Sequence, residues 1–443
     1  MKMQKSKEKI SCRFLQRAIY YAPDELRHCC KRYYYKGKMM GDVPIFDAKN
    51  NSDVSLDKVI KAKQDLIEKI NNKEKTGCLG CPVLEKKEWK DVKDEKFDHI
   101  SIEHHARCNM RCSYCSDMFY GGKVAHYDIY QALDELVRKD KIRDDCQVAW
   151  GGGEPTMTPN FNKLINYVNS QVKPKTQRFF SNAINYSDEI AELIKNNIAS
   201  LTTSVDAGSI KTFKKVRGVN QYLKVLKNLK KYYDLSPKNT VIKYIFTEDN
   251  SSIEEIESFV LDIKNHGLNN GNFLISSNFH DENLTLDQAH MIIYMHSLLI
   301  KNSANTCALD DHVRPRISRI ANKIFREETY KDLNSDEINH VFSNIKKIKE
   351  NLNEIIVWGI GEYANLLLDN SVTFSETKVK FFVDSNPHKQ GSYFRKSKVL
   401  KPDEIVNHKE PILIASSFWY HDIYESLISF GVDKSRIYSS SLI

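Results

Sequence analysis

At residues 108–115 the chain reads Cys-Asn-Met-Arg-Cys-Ser-Tyr-Cys, a polar stretch whose three cysteines are spaced by four and then three residues. The residues just before it, His99 to His104, predict a short strand that leads into a loop. Cysteine thiolates hold iron–sulfur clusters, usually four to a cubane. Three thiolates would leave one iron open to a small-molecule ligand. The alternatives are a structural zinc site, which takes four ligands, and inert buried thiols.

A second motif, Trp-Gly-Gly-Gly-Glu-Pro at residues 150–155, follows a short apolar run that predicts the next strand. Glycines at a strand end let a ligand approach the backbone, and the carboxylate of Glu154 can hold an ammonium group. Together with the cysteines, this motif resembles the radical S-adenosylmethionine (SAM) superfamily, over about residues 99–280. The resemblance implies a [4Fe-4S] cluster on Cys108, Cys112 and Cys115, with SAM on the fourth iron.

The same resemblance implies a SAM site at the ends of the predicted strands. Gly152, Gly153 and Glu154 would hold the methionyl amino group, and Tyr114 would lie near the adenine. The residues that the resemblance places near the ribose and the methionyl carboxylate are Ser181, Asn182 and Ser204. The plainer alternative for these three is that they are ordinary loop residues. Asp206 and Arg217 are further candidates for the site, and Arg217 is equally well explained as a surface ion-pair partner.

Strand and helix patterns alternate from residue 99 to about 279 in six units, which predicts a parallel α/β sheet with right-handed crossovers. With the resemblance, the predicted fold is a partial (β/α)6 radical SAM barrel, flanked by a cysteine-rich extension and a Rossmann-like α/β domain. The predicted domains are residues 1–98, the cysteine-rich auxiliary-cluster region; 99–282, the radical SAM core; 283–350, a helical linker without strands; and 351–443, the Rossmann-like domain.

Half of the ten cysteines lie in the first 98 residues. They predict a second metal site formed by Cys12, Cys78, Cys81 and one of the neighbours Cys29 and Cys30, with Cys30 as the preferred member of that pair. An auxiliary [4Fe-4S] cluster is the leading interpretation. Zinc and inert buried thiols are the alternatives, because ligand type alone does not separate zinc from iron–sulfur.

Near the end of the chain, an apolar strand pattern at 354–358 runs into Gly359-Ile-Gly361-Glu-Tyr-Ala364, and a second strand pattern ends in Asp384. This is the pattern of a Rossmann βαβ unit, in which glycines admit a phosphate and the acid meets a ribose. The segment resembles small modules attached to enzymes of surface-polysaccharide and nucleotide-sugar metabolism. It either binds such a ligand or serves only for docking.

Composition fits a globular protein: 41% of the 443 residues are hydrophobic and 28% are charged, and no apolar run approaches a membrane span. Thiolate clusters need reduced cysteines, so we expect a cytoplasmic protein. The expected partners are a small-molecule substrate and an external one-electron donor such as flavodoxin or ferredoxin. The net charge of +8 is mild for this length, and we expect no membrane partner and disfavour nucleic acid.

The resemblance implies an oxidoreductase in which a reduced cluster cleaves SAM to a 5′-deoxyadenosyl radical that abstracts hydrogen from a substrate. The leading substrate class is a phosphorylated or nucleotide-linked sugar, because of the terminal module. The alternatives are a peptide- or protein-modifying enzyme with an auxiliary cluster, an RNA-modifying enzyme, and an iron–sulfur sensor or electron-transfer protein. The Gly-Gly-Glu-Pro motif argues against the last of these, because an electron carrier needs no site for an amino group.

Overall fold

The structure, a computed structural model, describes residues 8–115, 122–278, 282–329, 336–416 and 419–439. The chain divides into two compact units. One comprises the residues up to 204 together with 217–240, and the other comprises 205–216 and the residues from 241 onward. The division therefore falls inside the region predicted as one core, residues 99–282.

The N-terminal segment contains several short strands where the sequence indicated one helix and a turn. The predicted helix is present, and it buries the face formed by Val59, Lys63, Ile67 and Ile70. The elements are β1 Lys9–Ser11, α1 Arg13–Arg17, β2 Ala18–Tyr21, β3 Glu25–Arg27, β4 Arg32–Tyr35, β5 Lys38–Gly41, β6 Pro44–Asp47, α2 Leu56–Asn71 and β7 Glu85–Lys87.

The alternating strands and helices predicted from residue 99 onward are present. Their bounds are β8 Phe97–Ile102, α3 Ile129–Arg138, β9 Ile142–Trp150, α4 Phe161–Tyr167, β10 Thr176–Phe180, α5 Asp188–Lys195, β11 Ala199–Ser204, α6 Ile210–Arg217, α7 Tyr222–Leu235, β12 Thr240–Phe246, α8 Ile253–Asn265 and β13 Asn272–Ser277. This α/β arrangement with a parallel sheet confirms the predicted fold class.

In the first unit, β11, β10, β9, β8 and β2 lie side by side and parallel, and β3 and β6 continue the sheet as antiparallel strands. The sequence did not predict that β2, from the cysteine-rich segment, pairs with β8. One face of the sheet packs on helices, as shown by the ring of Trp150 5.7 Å from that of Phe161 on α4. The carboxyl ends of β8, β9, β10 and β11 carry the motifs singled out in the sequence.

The second unit continues with β12, β13 and a further parallel strand, β14. Its elements after β13 are α9 Leu286–Lys301, β14 Thr306–Leu309, α10 Val313–Glu327 and α11 Asp336–Asn351. The prediction that residues 283–350 contain no strand is therefore wrong. Four residues are too few for a clear period-2 pattern, and β14 becomes a strand because it pairs with β13.

The C-terminal part of the second unit forms its own sheet in the order β17-β18-β16-β15-β19-β20, parallel except for β17. Alternation along β15 sends Val357 to the apolar cluster beneath α12 and Trp358 to the cluster beneath α13. The elements are β15 Glu354–Trp358, α12 Glu362–Asn370, β16 Lys378–Val383, β17 Tyr393–Phe394, β18 Ser397–Leu400, β19 Ile412–Ile414, α13 Tyr420–Ser429 and β20 Ile437–Ser439.

A search of the helices in the described ranges finds none that combines the length and the apolar character needed to cross a bilayer.

Candidate active site

The loop after β8 places the three central cysteines on one short segment. The Cys115 N–H donates to the Cys112 carbonyl at 3.0 Å, which closes a turn between the last two cysteines. The Met110 N–H points to the Cys108 sulfur at 3.4 Å. Burial raises the pKa of the Cys108 thiol, while this N–H opposes the rise. Cys112 is buried, and Cys108 and Cys115 are partly exposed.

The glycine-rich segment after β9 packs directly on the backbone that leads to these cysteines. The Gly153 N–H donates to the His105 carbonyl at 3.0 Å, and the Glu154 N–H donates to the Arg107 carbonyl at 2.7 Å. A Cβ on Gly153 would lie 2.1 Å from the Arg107 oxygen. Gly152 has φ of +85°, a conformation that favours glycine. Both glycines are therefore needed for this close approach, and they position Glu154 beside the cysteine loop.

Glu154 is a buried carboxylate that accepts hydrogen bonds only from neutral donors among the described residues. Its Oε1 accepts from the Thr156 N–H at 3.2 Å, the Thr156 hydroxyl at 2.7 Å and the Ser181 hydroxyl at 2.9 Å. Its Oε2 accepts one bond, from the Asn182 N–H at 2.7 Å. Burial raises the pKa of Glu154, and these donors work against the rise. Because a carboxylate oxygen has about two lone pairs, Oε2 keeps an acceptor position for a cation.

Asn182 links the carboxylate to the first cysteine. Its Nδ2 donates to the Asn109 Oδ1 at 2.7 Å and lies 3.7 Å from the Cys108 sulfur, while its backbone N–H binds Glu154. Ser181 and Asn182, which follow β10, therefore both contact the predicted site. Thr156 was not predicted. The sequence held a signal for it, because an acid followed by proline often starts a helical turn. Glu154 caps the turn that begins at Pro155, and its side chain therefore accepts the N–H of Thr156.

Arg217 packs against the cysteine loop and is only 5% exposed, so the surface ion-pair explanation is wrong. Its guanidinium donates to the Tyr114 hydroxyl and lies 5.8 Å from the centre of that ring. The Arg217 carbonyl accepts the Arg111 N–H at 3.1 Å. Gly218 has φ of +74°, and a Cβ there would lie 2.4 Å from the Arg111 oxygen. Arg217 thus brings a positive charge to Tyr114 and to the Cys108 side of the loop.

The other candidates on the strands have different roles. Ser204 is the last residue of β11 and is half-buried. In the second unit, Asp206 is buried with φ of +61°, and its carboxylate accepts the Ile245 N–H at 2.7 Å, which explains it as a structural residue. Along β12, Tyr244 faces α8 through its contact with Phe259. Lys243 points the other way, with its ammonium 3.4 Å from the Asp310 carboxylate.

The N-terminal cysteines converge from three separate places in the chain, because Cys78 and Cys81 share one turn. Cys12, Cys29, Cys78 and Cys81 line one cavity, and its other walls are largely apolar, including Phe14, Val43, Val83 and Leu84. We call this the four-thiol cavity. The Cys81 N–H donates to the Cys78 carbonyl at 3.1 Å, and the Tyr33 hydroxyl donates to the Gly77 and Leu79 carbonyls. The CxxC turn is thereby fixed against the β4 strand.

The sequence left Cys29 and Cys30 open as the fourth ligand, with Cys30 preferred, and the arrangement of the cavity favours Cys29. The Cys30 sulfur lies 3.6 Å from the Tyr20 hydroxyl and is not part of the cavity wall, whereas Cys29 is buried in it. Of these two cysteines, Cys29 lies in the cavity wall. Sequence spacing cannot tell which one, because the choice depends on how β3 and β4 pack.

Lys63 lies beside the four-thiol cavity and was not predicted. Its ammonium donates to the carbonyls of Leu15 at 3.1 Å and Ala18 at 2.6 Å. Burial lowers the pKa of Lys63 to about 7, and the nearby Cys12 and Cys29 partly counter that effect. The signal was a lysine within the apolar stripe of α2, where burial demands polar partners.

Across the described ranges, no group of three or more Cys, His, Asp or Glu side chains is arranged to hold a single metal ion.

In the C-terminal sheet, Asp384 is tied to the glycine-containing loop itself. Its Oδ2 accepts the Ile360 N–H at 3.1 Å and the Lys389 ammonium at 3.0 Å, and Lys389 also donates to the Ile360 carbonyl at 3.0 Å. Gly359 has φ of +110°, while a Cβ on Gly361 would meet open space. Asp384, which the sequence predicted to contact a ribose, thus forms hydrogen bonds that hold the turn after β15.

Comparison with protein families gives two matches. Residues 102–260 match the model described as the radical SAM superfamily. Residues 351–438 match the model described as C2185-like, N-terminal.

Among curated proteins, the chain is 28% identical over 169 residues to a GTP 3′,8-cyclase of Clostridium perfringens, which covers 36% of this chain and 51% of the relative. It is 21% identical over 187 residues to the GTP 3′,8-cyclase of Vibrio atlanticus, covering 42% of this chain and 55% of the relative. The chain thus spans about half the length of the curated relatives it matches.

Two similar solved structures are the native anSMEcpe with bound AdoMet and Cp18Cys peptide, and Streptococcus suis SuiB. The first is 15% identical with a TM-score of 0.36, covering 46% of this chain and 58% of that chain. The second is 15% identical with a TM-score of 0.38, covering 57% of this chain and 54% of that chain.

Proposed function

We propose that this chain is an enzyme of the radical SAM superfamily, whose family model matches residues 102–260, and that its cysteine loop holds the cluster at which SAM is cleaved. Enzymes of this superfamily use a [4Fe-4S] cluster and SAM. We assign the cluster to Cys108, Cys112 and Cys115, which leaves one iron without a protein ligand. When bound, this pair of cofactors supplies one-electron chemistry that ends in removal of a hydrogen atom from the substrate.

The observation that carries the proposal is the environment of Glu154. A buried carboxylate is costly unless a positive group compensates its charge. The neutral donors around Oε1 fix its orientation, and the acceptor position left on Oε2 suits the amino group of SAM. Asn182 then holds this carboxylate and the Cys108 side of the loop in a fixed relation. The chain's own residues therefore bind and orient, and none has to move a proton.

Other residues near the cysteine loop are assigned to the remaining parts of SAM. We assign Tyr114 to the adenine and Gly152, Gly153, Ser181 and Ser204 to the walls of the SAM site. Arg217, beside Tyr114, suits an anionic group such as the methionyl carboxylate, because a guanidinium forms paired hydrogen bonds to carboxylates.

We propose that the substrate is a small phosphorylated or nucleotide-linked molecule, such as a sugar of surface-polysaccharide metabolism. Two observations support this class: the curated relatives are named for a reaction of GTP, a phosphorylated nucleotide, and a separate α/β module follows the core. A peptide substrate is the alternative, motivated by the N-terminal cysteines. A precursor-peptide gene beside this one would favour the peptide, and glycosyltransferase genes would favour the sugar.

We further propose that the four-thiol cavity holds an auxiliary [4Fe-4S] cluster on Cys12, Cys29, Cys78 and Cys81. Four thiolates complete a cubane, so this cluster would offer no position to a substrate and would transfer electrons or stabilise the fold. Such thiolates require a reducing compartment, hence the proposed cytoplasmic location and an external one-electron donor of the flavodoxin or ferredoxin class.

The proposed function is tested on anaerobically reconstituted protein with dithionite and SAM. The wild type should release 5′-deoxyadenosine, whereas Cys112→Ala should release none. Cys146→Ala is a matched control, because Cys146 is a buried thiol of β9 outside both cysteine sets. Equal product from Cys112→Ala and the wild type would refute the assignment.

A further inference from the structure

We propose that His28 and Lys63 are positioning residues for the cluster proposed in the four-thiol cavity, and that together they raise its reduction potential. This inference rests on the proposed function, because it needs an iron–sulfur cluster on the four thiols of that cavity. It favours electron transfer over a purely structural role for the cluster, because both residues favour its reduced state.

His28 is a buried residue of the cavity wall with one ring nitrogen beside a thiol. Its Nε2 lies 3.8 Å from the Cys78 sulfur, and its Nδ1 is buried without a hydrogen-bond partner among the described residues. The residue is 1% exposed, so solvent does not replace the missing partner. A buried N–H without an acceptor costs free energy. The ring hydrogen is therefore best placed on Nε2, where the sulfur of Cys78 accepts it.

This contact favours negative charge on the Cys78 sulfur. A thiolate that binds iron accepts a hydrogen bond more strongly than a thiol does, because a charged acceptor strengthens the bond. Reduction adds one negative charge to a cluster, and hydrogen bonds to its sulfurs are among the factors that set its potential. An N–H from His28 would therefore stabilise the reduced state more than the oxidised one.

Lys63 supplies a buried positive charge beside the same cavity. Its ammonium donates to the carbonyls of Phe14, Leu15 and Ala18 at 3.5, 3.1 and 2.6 Å. Within the ranges that the structure describes, the Lys63 ammonium forms no ion pair with a carboxylate. A buried ammonium is costly unless negative charge compensates it. The three carbonyls fix its position, and they leave its charge to be balanced from elsewhere.

The thiols of the cavity are the groups that can balance this charge. Burial raises the pKa of Cys12 to about 12 and also raises that of Cys29, and the charge of Lys63 opposes both effects. The carboxylate of Asp98 acts on Lys63 more weakly than these thiols do, and it is already paired with Arg13 at 3.1 Å. Thiolates bound to iron would therefore provide the negative charge that Lys63 lacks.

Most of the cavity wall works against reduction. Its side chains are largely apolar, and burial among apolar groups disfavours the additional negative charge of a reduced cluster. Lys31 also lines the wall, but it is partly exposed, so solvent and salt screen its charge. His28 and Lys63 are both buried, and they are the groups with which we expect the chain to counter the apolar wall.

The test uses the full chain with Cys108, Cys112 and Cys115 replaced by Ala, so that the cluster proposed in the four-thiol cavity is measured alone. After anaerobic reconstitution this starting variant should contain about four irons. Its midpoint potential is measured by titration with dithionite and redox mediators, followed by electron paramagnetic resonance. Adding Lys63→Met should make the one-electron reduction at least about tenfold less favourable, a fall of about 59 mV.

Lys61→Met is the matched control for Lys63→Met. Lys61 belongs to the same helix, α2, but its side chain is exposed and paired with Asp65. The potential of the control should equal that of the starting variant. Equal shifts in the two lysine variants would overturn the role of Lys63.

Two substitutions separate the hydrogen bond of His28 from its size. His28→Leu removes the donor and should lower the midpoint potential. His28→Gln keeps an N–H donor near the position of Nε2 and should recover at least half of that shift. A residue that only filled space would show no such recovery. Iron content and melting curves from circular dichroism show whether each variant keeps its fold and its cluster, and if Lys63→Met loses iron, the two histidine variants decide.

The outcomes separate this inference from the proposed function. About four irons with an unchanged potential in Lys63→Met and His28→Leu would overturn the inference and leave the proposed cluster in place. A cluster that stays oxidised in excess dithionite would do the same. A starting variant without iron would overturn the auxiliary cluster itself, and the inference with it. Release of 5′-deoxyadenosine by the wild type is measured separately and tests only the cysteine loop.

Discussion

The cysteine loop and the four-thiol cavity share a local structure and differ in how the chain assembles them. In each, the second cysteine of a CxxC donates its N–H to the carbonyl of the first, at 3.0 Å in the loop and 3.1 Å in the cavity. The loop supplies all its thiols from residues 108–115, next to Glu154, Asn182 and Arg217. The cavity gathers thiols from three separate segments of the chain, among largely apolar residues.

This difference agrees with the two roles that we propose. The loop offers three thiols beside a carboxylate, an amide and a guanidinium, which suits the proposed binding of a charged small molecule at an open iron. The cavity offers four thiols and largely apolar walls, so the cluster proposed there would have no iron open to substrate. On this proposal, the same turn would serve exchange of ligands in one place and retention of a cluster in the other.

The two cysteine sets should hold separate clusters, so that removing the ligands of one leaves the iron of the other in place. Wild-type protein reconstituted anaerobically should contain about eight irons, from two four-iron cubanes. Replacing Cys108, Cys112 and Cys115 together by Ala should leave about four irons and abolish 5′-deoxyadenosine formation, because the only open iron is lost. Iron analysis and chromatography of the product are the measurements. About four irons with one zinc in the wild type would turn the cavity into a structural zinc site.

The iron content of single variants should show which of the neighbours Cys29 and Cys30 binds the cluster proposed in the cavity. Cys29→Ala should reduce the iron content by about four, because Cys29 lines the cavity. Cys30→Ala is the matched control and should keep all the iron, since its sulfur lies near the Tyr20 hydroxyl. Both variants should bind SAM like the wild type. Loss of iron from Cys30→Ala with retention in Cys29→Ala would reverse our assignment.

Removing the charge of Glu154, beside the cysteine loop, should weaken the binding of SAM. Glu154→Gln keeps the size of the side chain and removes its charge, so SAM affinity should fall by about 1.5–3 kcal/mol, roughly 10- to 150-fold. Equilibrium dialysis with labelled SAM measures it. Glu192→Gln serves as the control, because Glu192 is an exposed residue of α5 whose side chain accepts a hydrogen bond from Asn196. An unchanged dissociation constant in Glu154→Gln would mean that the ammonium group binds elsewhere.

Close packing under the cysteine loop predicts that alanine substitution is more destabilising at Gly153 than at the nearby Gly151. A Cβ at position 153 would lie 2.1 Å from a backbone oxygen, whereas at position 151 the nearest atom is 3.7 Å away. Gly153→Ala should therefore lower the free energy of unfolding by about 1–3 kcal/mol, and Gly151→Ala should change it little. Denaturant unfolding is the measurement. Equal stability of the two variants would show that the loop can shift without cost.

The smallest effect concerns the C-terminal sheet, which has no cysteine. Gly359→Ala should destabilise that sheet by roughly 1–2 kcal/mol, because its φ of +110° is unfavourable for a residue with a Cβ. At Gly361 a Cβ meets open space, so Gly361→Val should leave the melting curve unchanged and weaken only the binding of a nucleotide-linked ligand. Calorimetry with nucleotide sugars tests this. No binding to the wild-type protein would favour the docking role.

Sequence patterns predicted the parts of this molecule that depend on near neighbours. The period of the apolar residues located the alternating strands and helices from β8 to β13. The spacing of Cys108, Cys112 and Cys115 and the glycines before Glu154 marked the site, because a loop of eight residues and a strand end leave little freedom in where those groups lie.

Tertiary structure decided what depends on distant partners. Pairing with β8 made β2 a strand of the sheet, and pairing with β13 made β14 a strand inside a supposed helical linker. Packing turned Cys29 rather than Cys30 toward the cavity, buried Arg217 beside Tyr114, and placed His28 and Lys63 at the four-thiol cavity. Local propensity and spacing carry no information on these contacts, since each depends on which strands become neighbours and which face the sheet buries.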